Sequence, residues 1–229
     1  LYAAASKIPQ MLSVIVTIFF QAWQVSANEE FKSKDIAQFY SQILEQISAC
    51  TFLIGSLMIV LCRPINGIFL GADFAGAWIV IPPLVLMTVF FSFSQFLISV
   101  YSANKKTGMV LVTNLVCVAV NVTLNWLLIP IWGTVGAAIA TAIAYLVLWI
   151  VRIADTRRII HIQYDFGRTI AAVVITVLQG ILVCMDADTM MTYTLCAAGI
   201  LALVVIYWNT LCTLARFLCM LAIRLLKKT

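Results

Sequence analysis

Charged side chains are scarce in this sequence: 10% of its 229 residues are Asp, Glu, Lys or Arg, against 64% hydrophobic. A mean hydropathy of +1.08 excludes a soluble globular domain, because a chain of this size cannot hide so much apolar surface. Alternating polar and apolar positions are also missing, which excludes a β-barrel. The seven cysteines (Cys50, Cys62, Cys117, Cys184, Cys196, Cys212, Cys219) show no C-x-x-C spacing and read as small buried hydrophobes. His161, the single histidine, has no second ligand at metal-binding spacing, so a solvated loop residue is expected. No acid sits at the centre of an apolar run. Glu45 is the one carboxylate inside a nominal span, near its end, and this argues against a proton or sodium relay in this part of the protein. Asp186 and Asp188 read as an ordinary turn between spans rather than a catalytic pair.

What is abundant is apolar sequence in lengths that cross roughly 30 Å of hydrocarbon at 1.5 Å per residue. The expected fold is all-α, a polytopic transmembrane helix bundle with seven spans at about residues 2–27, 38–62, 77–101, 107–129, 134–153, 168–185 and 190–211. Residues 1–211 would form the bundle. Residues 212–229, with Arg216, Arg224, Lys227 and Lys228 among apolar positions, would form a basic interfacial tail. The sequence starts on Leu1 without a charged leader ahead of its first apolar run, so a fragment of a longer chain is expected.

Basic residues fall on alternate connections. Lys32, Lys34, Lys105, Lys106, Arg152, Arg157, Arg158 and Arg168 share one side with the tail, Arg63 stands alone on the other, and Lys7 lies within the first helix. The bias predicts a cytoplasmic C-terminus, and it assigns the net charge of +5 to orientation and lipid headgroups rather than to nucleic acid.

Polar residues inside the spans are costly and must face protein or water. In the first helix Ser6, Gln10, Ser13, Thr17, Gln21 and Gln24 recur every three or four residues and share one face, with Lys7 at its border. The third helix repeats the pattern in Thr88, Ser92, Gln95, Ser99 and Ser102, and the fourth aligns Asn114, Asn121 and Asn125. Such stripes are either interhelical hydrogen-bond glue or the wall of a hydrated cavity. The first-helix stripe is longer than one packing seam needs, which favours the cavity there. The asparagines fit either role. Lys7 could snorkel to headgroups or hold a buried anion such as a phosphate. Pro82 and Pro83 could start the third helix or hinge it.

The stretch from Asn121 to Thr141, NVTLNWLLIPIWGTVGAAIAT, breaks one long apolar run at Ile129, Pro130 and Gly133 and resumes as a small-residue helix. Gly133, Ala137 and Thr141 form one small row and Gly136, Ala140 and Ala144 another, which would let a neighbouring helix approach closely. This run, together with LYAAASKIPQML, FQAWQVSANEE and YSANKKT in the same order, resembles the C-terminal half of polysaccharide flippases. These are the O-antigen and exopolysaccharide repeat-unit exporters of the multidrug/oligosaccharidyl-lipid/polysaccharide superfamily. The resemblance covers roughly residues 1–155.

The resemblance implies half of an alternating-access transporter, with the first and third helices facing a central cavity. It implies transfer of undecaprenyl-diphosphate-linked oligosaccharide across the bacterial inner membrane, with no bond made or broken and no cofactor. Lys7 would hold the diphosphate, and Gln10, Thr17, Gln21, Gln24, Ser92, Gln95 and Asn121 would meet sugar hydroxyls. Implied partners are the lipid-linked substrate, membrane lipids, a polysaccharide polymerase and glycosyltransferases. One departure is Ser6, where lipid II flippases carry an acid before the base. Rival readings are a multidrug or cation antiporter of the same superfamily, which needs a membrane-embedded acid elsewhere, a polytopic glycosyltransferase or ligase, which needs a large catalytic outer loop, and a helical scaffold without transport.

Overall fold

The computed structural model describes residues 3, 6, 7, 9, 10, 13, 14, 16–18, 20, 36–70, 72–185 and 189–216. Among them there is no strand, and four helices, or five with one bent pair, are long and apolar enough to cross a membrane. The protein is an all-α membrane helix bundle. Between Lys7 and Phe20 the described residues are helical. Then follow α1 (Ile36–Val60), α2 (Cys62–Leu70), a 3-10 stretch (Ala72–Val80), α3 (Ile81–Ala103), α4 (Gly108–Thr156), α5 (Phe166–Cys184) and α6 (Thr189–Ile206). A last helix, α7 (Trp208–Arg216), leaves α6 at an angle of 68°.

The 49 residues of α4 are two spans, not one. At Gly133 the backbone takes φ 55° and ψ −128°, a region open to glycine and strained for any other residue, and the chain doubles back. Contacts between the arms run antiparallel: Cys117 Sγ donates to the Ala144 carbonyl at 3.5 Å, and Asn121 Nδ2 to Thr141 Oγ1 at 3.3 Å. The arms come so close near the turn that a Cβ on Gly136 would sit 2.3 Å from the Leu128 carbonyl oxygen. Gly136, Ala140 and Ala144 are all buried, as a close-approach row requires. The break expected between residues 129 and 134 is therefore this hairpin turn.

Pro82 and Pro83 occupy the first turn of α3, where their missing N–H groups cost nothing, so they start the helix and do not hinge it. Two expectations need correction. The span expected over 190–211 is interrupted at Tyr207, and the helix turns away from there, before residue 212. Arg152, expected in a basic connection, lies inside the second arm of α4 and is 1% exposed.

Lipid gives no hydrophobic gain for pairing apolar helices, so packing and buried hydrogen bonds decide who touches whom. The α4 hairpin packs on α3, α1 packs on α3 and α5, and α6 packs on α1 and α5. Gln179 of α5 joins three helices: its Oε1 accepts from Ser56 Oγ of α1 at 2.6 Å, and its Nε2 donates to the Cys196 carbonyl of α6 at 2.9 Å. Arg63 donates to the Val183 carbonyl at 3.1 Å and lies 4.2 Å over the Trp78 ring. Toward the opposite end the core is aromatic. Phe93 and Trp149 lie 5.2 Å apart, Phe52 and Phe93 5.7 Å, and Phe52 stacks on Tyr207 at 6.3 Å.

Candidate functional site

Above that aromatic layer lies a cavity of about 940 Å³. It is bounded by the first turns of α1, the 157–165 connection, the start of α5 and the α6–α7 joint, with Phe93 of α3 and Trp149 of α4 in its wall. Each element arrives for a local reason. Asp165 caps α5, its carboxylate accepting from the Arg168 N–H at 3.0 Å, which fixes where that helix begins. The Gln163 N–H donates to Ser41 Oγ at 2.9 Å and ties the connection to α1. Glu45 Oε1 accepts from Arg168 Nη1 at 2.7 Å and from Thr210 Oγ1 at 2.9 Å, so one carboxylate fastens α1 to both α5 and α7. Arg168 Nε completes the cluster at 2.9 Å from Asp165.

The wall thus combines the amides of Gln38, Gln42 and Gln163, an ion cluster and several rings. The Tyr164 phenol is pushed above its ordinary pKa by burial, so it stands in the wall as a proton donor. Arg157 lies behind the wall, 4.9 Å over the Phe166 ring. Such a lining can exchange hydrogen bonds with hydroxyl groups and offer flat apolar faces. Among the described residues no three His, Cys, Asp or Glu side chains gather for a metal ion. His161 is exposed in the connection.

Among the described residues, those expected from sequence to bind substrate do not line this cavity. Lys7 and Gln10 are exposed on the N-terminal helical segment, where Gln10 Nε2 donates to Ser6 Oγ at 3.4 Å. Thr17 is half-buried and donates to the Ser13 carbonyl at 2.7 Å. Gln21 and Gln24 lie outside the described residues. Ser92 is fully buried and donates to the Thr88 carbonyl at 2.8 Å, while Gln95 is half-buried. The first and third stripes meet where Ser13 Oγ and Thr88 Oγ1 lie 3.5 Å apart. Asn121 is engaged within the hairpin, donating to Thr141 and accepting from Asn125 Nδ2 at 2.9 Å.

Sequence reasoning missed most of the cavity. Gln38, Gln42 and Glu45 recur at helical spacing near the start of α1, a signal of the same kind as the stripes that were noticed. It missed a second polar focus too. Arg152 donates through Nε to Thr113 Oγ1 at 3.2 Å, through Nη1 to the Ser94 carbonyl at 2.8 Å and through Nη2 to Asn114 Oδ1 at 2.9 Å. Asn114, one of the three aligned asparagines, is therefore a partner for a buried cation. Comparison with family models, with curated proteins and with solved structures returns no match for this chain.

Proposed function

We propose that this chain is the C-terminal lobe of a transporter that moves undecaprenyl-diphosphate-linked oligosaccharide repeat units between the leaflets of the bacterial inner membrane. The observation that carries the reading is the polar cavity of about 940 Å³ at one end of a bundle of membrane-length helices. A scaffold of packed helices has no use for such a space, whereas a carrier of a bulky hydrophilic headgroup needs one. The cavity opens at the end that bears the exposed basic connections, with Lys105 and Lys106 in one and Arg157 and Arg158 in the other. By the charge bias that end is cytoplasmic, the side on which such cargo is loaded.

In this reading Lys7 meets the diphosphate as a compact point charge. The polyprenyl tail stays in lipid against faces such as that of α4, where Leu111, Leu115, Val122 and Trp126 are exposed. The headgroup passes through the polar interior and is chemically unchanged. Exchanging Lys7 for Ala in the full-length protein is expected to stall export, with lipid-linked repeat units accumulating on the inner leaflet. Undiminished export by that variant removes Lys7 from the mechanism. Failure of the wild-type protein to expose a lipid-linked oligosaccharide on the far leaflet of proteoliposomes overturns the reading as a whole.

A further inference from the structure

At the end of the bundle away from the cavity, α1 stops, the short α2 begins, the 3-10 stretch runs and α5 finishes. Two cysteines mark that end: Cys62 is the first residue of α2 and Cys184 the last of α5. Three contacts draw these elements together. Arg63 Nη2 donates to the carbonyl of Val183, the neighbour of Cys184, at 3.1 Å. The same guanidinium lies 4.2 Å over the Trp78 ring, and Cys184 Sγ donates to the carbonyl of Ile79 at 3.9 Å. Cys62 is fully buried in a cluster with Ala77, Val80 and Val183, so both cysteines lie against the same few residues of the 3-10 stretch.

The electrostatics agree with that placement. Burial pushes the Cys62 thiol up to about 12, the Cys184 sulfur adds to the rise, and Arg63 draws it down. Two sulfurs so placed stay apolar thiols in a reducing compartment and close into a bond in an oxidising one. The Lys and Arg bias predicts that this end faces away from the cytoplasm, because the exposed basic connections crowd the other end. Both cysteines stand at helix ends, where the backbone can turn a Cβ toward its partner without shifting a packed helix, as the narrow geometry of a disulfide requires.

We propose that Cys62 and Cys184 are joined in the membrane by a disulfide that clamps the end of α5 to the α1–α2 junction. In the structure both are free thiols. The oxidant is a disulfide carried by a thiol oxidase of the compartment beyond the membrane. One cysteine thiolate attacks it and releases one of its sulfurs as a thiol, and the second cysteine thiolate then displaces the other. One S–S bond breaks and one forms, and two electrons and two protons pass from the cysteines to the oxidant. A thiol held like that of Cys62 reacts slowly once buried, so the exchange belongs to folding, before the cluster closes. The bond needs only an oxidising far side and is independent of the transport reading.

The test uses the full chain, expressed into the inner membrane of aerobically grown bacterial cells. The cells are denatured directly in excess N-ethylmaleimide, and the protein is purified and digested without reductant for mass spectrometry. The peptide bearing Cys62 is expected joined to the one bearing Cys184, two hydrogens lighter than the separate pair. Cys196, a member of the same cluster, is expected as an alkylated thiol. A membrane-permeant phosphine is expected to lower the unfolding midpoint of the wild type by roughly 5–10 °C and to leave that of Cys62→Ala unchanged. Cys184→Ala makes the same comparison where Cys62→Ala does not fold. Recovery of Cys62 and Cys184 as alkylated thiols, a bond from either to a different cysteine, or a wild-type midpoint indifferent to the phosphine overturns the proposal.

Discussion

Arg152 Nη1 donates to the Ser94 carbonyl at 2.8 Å, and so a guanidinium of the second α4 arm is clamped to the backbone of α3. The same side chain reaches Thr113 and Asn114 on the first arm, which makes it the point where three membrane helices are fastened. Among the described residues no carboxylate forms an ion pair with it. Replacing Arg152 by Ala strands the Asn114 and Thr113 oxygens, and the expected loss is roughly 3 kcal/mol of stability, since bonds to a charged donor contribute about 1.5–3 kcal/mol each before relaxation. Arg152→Lys should recover only part of it, because one ammonium cannot span three acceptors set in different directions. Unfolding midpoints in mixed detergent micelles measure this. An Ala variant as stable as the wild type would show that the clamp carries no weight.

The hairpin makes a different kind of prediction, about backbone. Gly133→Ala forces a Cβ onto φ 55°, ψ −128°, expected to cost about 1–3 kcal/mol through strain alone. Gly136→Ala places its methyl 2.3 Å from the Leu128 carbonyl oxygen and must prise the arms apart. Overpacking of that kind costs roughly 1–3 kcal/mol, and Gly136→Val should cost more than Ala. Cysteines at Asn121 and Thr141, whose side chains touch at 3.3 Å, report the separation through the yield of disulfide on mild oxidation. That yield should fall in the Gly136 variants and persist in a surface control.

How much of this was legible beforehand follows from the physics of each feature. Apolar run length fixes helices, so the spans expected over 38–62, 77–101, 107–129, 134–153 and 168–185 and the turn at Gly133 could be read within a few residues. The two prolines of α3 are ambiguous in sequence because the same residues start or bend a helix, and only the folded structure places them in the first turn. The break at Tyr207 has no proline or glycine between Val204 and Thr210 to announce it. Arg152 looked like a connection residue because hydropathy counts its charge against the span, whereas its burial depends on acceptors contributed from 38 to 58 residues away. The cavity was hidden for the same reason: Ser41 and Gln163 are 122 residues apart. A stripe on one helix is visible in sequence. A pocket made by several elements is not.

Asp165 offers a clean separation of cap from charge. Its carboxylate accepts from the Arg168 N–H at 3.0 Å and also faces the Arg168 side chain. Asp165→Asn keeps an acceptor for the N–H and loses the ion pair, whose partners are both well exposed. Asp165→Ala loses both. Exposed ion pairs contribute little, so Asn is expected to be nearly as stable as Asp, while Ala should cost about 1 kcal/mol. Thermal unfolding of the three proteins decides it. A large loss in the Asn variant would mean that the Arg168–Asp165 pair, not the cap, holds the start of α5.

Tyr164 gives the protein a stability signature at alkaline pH. Burial holds its phenol above the ordinary value, with Arg157 pulling weakly the other way. The folded state therefore binds this proton more tightly than the unfolded state does. The corresponding stability is fully present below the unfolded value of about 10 and is lost as the pH rises through the folded value. Tyrosinate absorbance at 295 nm should show a late-titrating component whose amplitude falls by one phenol in Tyr164→Phe. The same variant should flatten the fall in unfolding midpoint above pH 10, because it has no proton to lose. If Tyr164→Phe leaves both the late absorbance and the alkaline slope unchanged, the phenol is ionising in water and does not belong to the wall of the cavity.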